Sequence, residues 1–357
     1  MEDPEEVAAG LTDLDNVTDV WAAADRRLAA GDAAYVADLG IAVWQRYGRD
    51  PAPPWQSTSV FDHILRLLTL TPGVIEQALR LISITLDRRR CRYAASLLAS
   101  AHPPRALDAV FSGVAAEELR ACLLQEIVLR GGSVDHPWTE SSHWRHHPLA
   151  WLPRSLTPME GRPDLPAYSR TGGSGPVPSL TAPPARNRGP VPAARETTTD
   201  TEAAAISSAV ANWTERSNGR IEARTFALDG DLDPGAVGGL LRSLRLASFE
   251  DPKTEPGPCT VTQVWQLLFT AASCGGAYGD AQHGAYGRLL AWRSVAALAG
   301  APHGASAVEV EALAQQCSWH SYALATDWFE DVTWDVGLAA GSPDRRRLTV
   351  LAATDTD

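Results

Sequence analysis

Residues 220–228 read RIEARTFAL, and their reading decides whether the chain is all-helical or mixed. Ile221, Ala223 and Thr225 fall on one face of an extended segment, and Phe226 and Leu228 on the other. Just before them, Asn218-Gly219 is a good left-handed stop for a helix over 201–216. A strand here gives sheet character to everything after residue 200. WHSYALA at 319–325 and the stretch 348–353 read as two more strands. Segments 240–246, 261–272, 287–298, 308–316 and 327–339 read as helices. The expectation for 200–357 is an α+β domain, a small sheet covered by helices.

Upstream the period changes. Val17, Val20, Trp21, Ala24 and Leu28 form one helical stripe, and Gly31 ends it before Asp32 caps the next helix. Val36, Leu39, Val43 and Tyr47 form a second stripe. Thr71-Pro72 reads as a cap followed by proline at the first helical position, ahead of Ile75, Leu79, Ile82 and Leu86. Leu119, Leu123 and Ile127 mark a later helix. We expect an all-α domain over 11–152, stacked helical hairpins in the manner of a short HEAT-like solenoid. Residues 153–199 are rich in proline and glycine. Too little apolar surface is available there to offset ordering entropy, so a disordered or loosely tethered linker is expected. The fold class is therefore α+β, mainly helical.

Composition narrows the function classes. The chain has 357 residues, 45% hydrophobic and 21% charged, enough for two domains with sizeable cores, and 12 Trp supply bulky apolar surface. A net charge of −12 argues against a general nucleic-acid or anionic-membrane binder and permits a basic protein partner. The start, MEDPEEVAAG, lacks the apolar core of a secretory signal, and no stretch is apolar enough for a membrane span. Five Cys with no C-x-x-C fit buried free thiols in a reducing cytoplasm.

Four stretches carry a resemblance: ADLGIAVWQRYG, GGAYG with GAYGRLLAWRSVAALAGA, WFEDVTWDVGLAA, and the ending LTVLAATDTD. Together they resemble an uncharacterised actinobacterial family, a domain of unknown function, over most of the chain outside the proline-rich stretch. The resemblance implies a bacterial cytosolic protein. It implies no activity, ligand, cofactor or site residue.

Chemistry could sit in five places. Residues 275–287, GGAYGDAQHGAYG, repeat Gly-Ala-Tyr-Gly. Gly284 and Gly287 precede a helix whose N-terminus, with Arg288 and Arg293, could clamp an anion. The plainer reading is an interhelical loop with Tyr278 and Tyr286 on the core. Ala271-Ala272-Ser273-Cys274-Gly275 is a relaxed nucleophile-elbow pattern, but the segment before it reads as helix where an elbow needs a strand. Ser273, or Cys274 with His283, are the catalytic candidates, with His320 as a second imidazole. His136, His143, His146 and His147 cluster with Asp135 and Glu140, a set for a transition metal or for local packing. Asp327, Asp331 and Asp335 would share one helix face beside Glu330, repelling one another unless a divalent cation, arginines or a basic partner compensates. RRRCR at 88–92 could bind an anion or nucleic acid, or be a solvated turn.

The function expected from the sequence is a non-enzymatic interaction or regulatory protein, binding another protein through an acidic or concave helical surface. The alternative is a hydrolase or small-ligand enzyme with its site around 273–293. No cofactor is indicated.

Overall fold

The computed structural model describes residues 3–85, 87–113, 115–180, 182–185, 189–215, 217–277, 281–323, 326–329 and 334–356. It is about 53% helical and 12% strand, an α+β protein dominated by helices. It divides into two compact units: Met1–Ala150 with Pro166–Ser174, and Trp151–Leu165 with Gly175–Asp357.

The first unit is helical. It comprises α1 (Pro4–Gly10), α2 (Thr18–Ala29), α3 (Ala33–Tyr47), α4 (Trp55–Thr69), α5 (Ile75–Thr85), α6 (Arg88–Ala101), α7 (Asp108–Ser112), α8 (Glu117–Leu129) and α9 (Ser142–Arg145). Asp32 caps α3 by accepting a hydrogen bond from the Tyr35 amide, and Val36, Leu39 and Val43 are buried on its stripe. The helix expected from Pro72 begins later, at Ile75. Gly73 stands in the left-handed region at φ +83°, which a helix cannot include. Nearly every residue of α8 from Leu119 to Leu129 is buried, as in a helix surrounded on all sides. A two-stranded antiparallel ribbon, β1 (Ala167–Ser169) and β2 (Gly172–Ser174), completes this unit. Tyr168 fixes it: the hydroxyl lies 2.8 Å from Ser96 Oγ, and the ring packs edge-on to Tyr93.

The second unit carries α10 (Asp200–Ile206), α11 (Val237–Ser243), α12 (Val261–Cys274), α13 (His283–Ala299) and α14 (Ala307–Ala314). Its strands are β3 (Ala194–Glu196), β4 (Arg220–Leu228), β5 (Gly257–Cys259), β6 (Ser318–Ser321), β7 (Trp334–Gly341) and β8 (Arg347–Asp355). They form one antiparallel sheet in the order β3-β4-β8-β7-β6-β5. RIEARTFAL is β4, and Phe226 pairs with Leu348 and Ala223 with Leu351. One face of the sheet packs Phe226, Leu348, Val350 and Ala352 on Val237, Leu240 and Leu241 of α11 and on Phe329. On the opposite face α12 and α13 pack on each other and on β7.

One expected helix is a strand. Within 327–339 the described residues form a short 3₁₀ turn, Asp327–Phe329, and the strand β7, buried from Asp335 through Gly341. A short apolar run buried on both faces has no alternation, so its pattern does not separate strand from helix. Gly337 shows why this run suits a central strand: a Cβ there would stand 2.6 Å from the Ala323 backbone nitrogen. The strand expected over 319–325 is shorter, Ser318–Ser321.

Candidate functional site

The first unit holds a side-chain-lined cleft of about 190 Å³. Trp44 and Tyr47 come from the last turn of α3, Asp50 and Pro53 from the following turn, Ser57, Thr58 and Phe61 from α4, and Asp87 and Arg90 from the start of α6. Helical spacing places Trp44 and Tyr47 on one face, and the prolines at 51, 53 and 54 delay α4 until Trp55. Gly48 ends α3 against the Trp44 ring, where a Cβ would run into the indole.

The floor is aromatic. The Trp44 and Phe61 rings lie 5.4 Å apart, and the indole N–H donates to the Ile84 carbonyl at 3.1 Å. Arg90 sits over both rings, its guanidinium carbon 4.7 Å from the Trp44 ring and 4.5 Å from the Phe61 ring. It donates to Asp62 at 3.2 Å and faces Asp87 at 3.7 Å. Burial pushes the Asp62 carboxyl up, opposed by Arg90 and Arg66. Tyr47 donates its hydroxyl to the Ala8 carbonyl, and Arg46 lies 5.7 Å from its ring. Asp50 and Asp87 accept from the Ala52 and Arg89 amides, which fixes both carboxylates at the rim. Trp55, which stands in the chain between the lining residues Pro53 and Ser57, is 56% exposed, a large apolar ring offered to solvent. Thus RRRCR opens a helix, and its third arginine packs on aromatic rings between two carboxylates. Trp44, Asp50, Trp55, Phe61 and Asp87 went unnoticed in the sequence. The available signal was WQRYGRDPAPPW, aromatics at i, i+3 ahead of an acidic, proline-rich turn.

In the second unit, Ser273 is buried on the last turn of α12, so no strand precedes it. Gly287 lies against it: a Cβ there would stand 2.7 Å from the Ser273 Cβ. Gly287 thus permits close packing of α12 on α13, and Gly284 is buried on the same helix. Burial pushes the Cys274 thiol up, and Gly175 abuts its sulfur. His283 opens α13 at φ +57°. His320 is buried on β6, and desolvation holds its imidazole below the usual histidine value. Gly276 belongs to the loop after α12, whose Ala277 amide donates to the buried Asp355 carboxylate at 2.7 Å. Tyr278, Gly279 and Asp280 lie outside the described residues.

Arg288 and Arg293 separate. Arg293 is exposed, whereas Arg288 has zero exposure and makes a two-point ion pair with Glu160, at 2.6 and 2.7 Å. Arg288 also donates to the Pro153 and Ser155 carbonyls, and the Trp292 indole donates to Glu160 at 2.8 Å. Composition offered no hint that residues 153–160 would supply a carboxylate to this core.

The acidic row is not on one helix. Asp327 is exposed in its 3₁₀ turn and paired with Lys253, Asp335 is buried on β7, and Asp331 lies outside the described residues. The histidines are engaged locally. His136 accepts from the Trp138 amide and meets Ser112; His146 bonds the Ser142 carbonyl; His147 accepts from the Leu149 amide and meets Glu118. His143 is exposed. Among the described residues, no group of three or more His, Cys, Asp or Glu could hold a metal ion. A second cleft, about 270 Å³, is lined by Asp164, Val177, Ser179, Gln263, Gln266 and Thr270. No helix of the described residues is long and apolar enough to cross a membrane.

No curated protein matches the chain, and no solved structure does. The family described as of unknown function, DUF6183, has a model that matches residues 18–357, nearly the whole chain, and the protein belongs to that family.

Proposed function

We propose that the protein is a non-enzymatic interaction or regulatory protein of the cytoplasm whose helical unit docks a basic protein partner. One observation carries this reading: the aromatic cleft takes most of its lining, and the exposed Trp55 near it in sequence, from the most acidic part of the chain. Residues 1–60 hold eleven Asp and Glu against four Arg. A large exposed ring next to a side-chain-sized cleft is the anatomy of a binding hot spot, and the surrounding field attracts a cationic surface. The cleft is also smaller than the roughly 300 Å³ from which small-molecule sites begin. Five free cysteines support a reducing compartment.

In the region 273–293, two of the groups an enzyme would use are occupied by packing. Ser273 is shut between α12 and α13, and Arg288 is held by Glu160. Capture of cross-linked partners from cell extract, with the wild type and Trp55→Ala side by side, tests the proposal. A basic protein retained by the wild type, released by added salt and lost from the variant is the expected result. A partner set unchanged by the variant sinks the placement of the interface.

A further inference from the structure

We infer that the ribbon β1–β2 is an autoinhibitory strap: it occupies, from within the chain, a surface of α2, α4 and α6 that takes an arginine-bearing segment of the basic partner once the strap lifts. This deepens the proposed function, as its regulation, and rests on it.

Three observations converge. The first is charge. Arg170 is the only charged residue between 165 and 185, and its guanidinium stands 3.6 Å from Asp25 of α2. Asp25 belongs to the same acidic stretch, residues 1–60, whose field attracts a cationic surface. The ribbon therefore offers the helical unit what a basic partner offers. The second is the way the ribbon is gripped. The Tyr168 hydroxyl lies 2.8 Å from Ser96 Oγ with the ring edge-on to Tyr93, both on α6, and the Arg170 carbonyl accepts from Arg66 Nε of α4 at 3.1 Å. A tyrosine, an arginine two residues later and one backbone carbonyl are each met by helix side chains, as in a bound peptide. The third is how loosely it is held. Its strands are three residues long, and a lone two-stranded ribbon is marginal in water. Ala167, Ser169, Thr171, Gly173 and Ser174 are exposed, and Arg170 is 56% exposed, so burial anchors little beyond Tyr168. A segment fixed by so few contacts opens at low cost. While closed, its tether gives it an effective concentration that a free ligand of equal contacts must overcome.

The probe is a labelled peptide of residues 166–176, PAYSRTGGSGP, titrated by fluorescence anisotropy at low salt against the full chain. The combined variant Tyr168→Ala, Arg170→Ala frees the strap, and an unchanged circular dichroism spectrum shows that the helices keep their fold. It is expected to bind the peptide at least about tenfold more tightly than wild type, and Arg170→Ala alone shifts affinity the same way by a smaller factor. Adding Asp25→Asn, whose amide oxygen can still accept from His63, is expected to remove most of the gain. Equal binding by wild type and the combined variant, or binding by neither, overturns the strap. A polyarginine peptide separates that failure from failure of the docking reading. If both chains bind it, the acidic docking unit stands without a strap; if neither does, both readings fall.

Discussion

Two clusters in this protein use the same side chains and differ in water. In the first unit Arg90, Asp87, Asp62 and Trp44 stand at a cleft, with Arg90 23% and Asp87 40% exposed. In the second, Arg288, Glu160 and Trp292 have zero exposure, and every polar edge is met by a protein atom. Burial separates their roles. Where solvent reaches the pair, its energy is small and its groups can be exchanged for a partner's. Where solvent is excluded, losing one member strands a charge, so the cluster holds the fold and is closed to ligands.

The largest effect should come from breaking the buried cluster. Arg288→Met leaves the Glu160 carboxylate without its ion pair, and a loss of about 3–5 kcal/mol is expected in denaturant unfolding. Adding Glu160→Gln should recover part of it. An unchanged midpoint for the single variant would falsify the structural role and restore Arg288 as an anion clamp. Next comes Gly287→Ala, which pushes a Cβ into Ser273. Overpacking costs about 1–3 kcal/mol and exceeds the gain of roughly 1 kcal/mol in helix propensity, so the melting temperature should fall. A rise would mean that α12 and α13 are not so close and that the glycine serves another purpose.

Acid should weaken both units. Burial holds His63 and His320 below the ordinary 6.5, His63 despite Asp25 at 3.1 Å. Above 6.5 the imidazoles are neutral folded or unfolded, and stability does not depend on them. Between 6.5 and the lowered native value the unfolded chain binds the extra proton, so stability falls as pH falls, and the loss levels off below the native value. The denaturation midpoint followed against pH should show this slope, and His63→Gln should flatten part of it; a slope of the opposite sign contradicts the burial argument. The smallest effect on stability belongs to Trp55→Ala, expected within about 0.5 kcal/mol of wild type because the ring is largely in solvent. A large loss would make Trp55 a packing residue and remove it from the interface.

How far the sequence reaches is plain from particular segments. The strand β4 was legible to the residue because alternation and an Asn-Gly stop bracket it. Helix α3 was legible from its stripe and its Asp32 cap, and α12 over 261–272; α13, expected over 287–298, begins at His283, so Gly284 and Gly287 lie within it and not ahead of its N-terminus. The strand β7 was not, because a run buried on both faces carries no period, and the acidic row placed on its imagined helix went with it. Of the cleft, the sequence showed only the RRRCR run, Val43 and Tyr47.

The amino-acid sequence by itself determined the α+β, mainly helical class, the acidic character and the positions of the main helices, because these depend on local periodicity and on charge. Tertiary structure alone decided that Glu160 meets Arg288 across 128 residues and that Arg90 lies over Trp44 and Phe61. Such pairings depend on which faces are brought together and how much water they keep, and no local pattern in a chain records either.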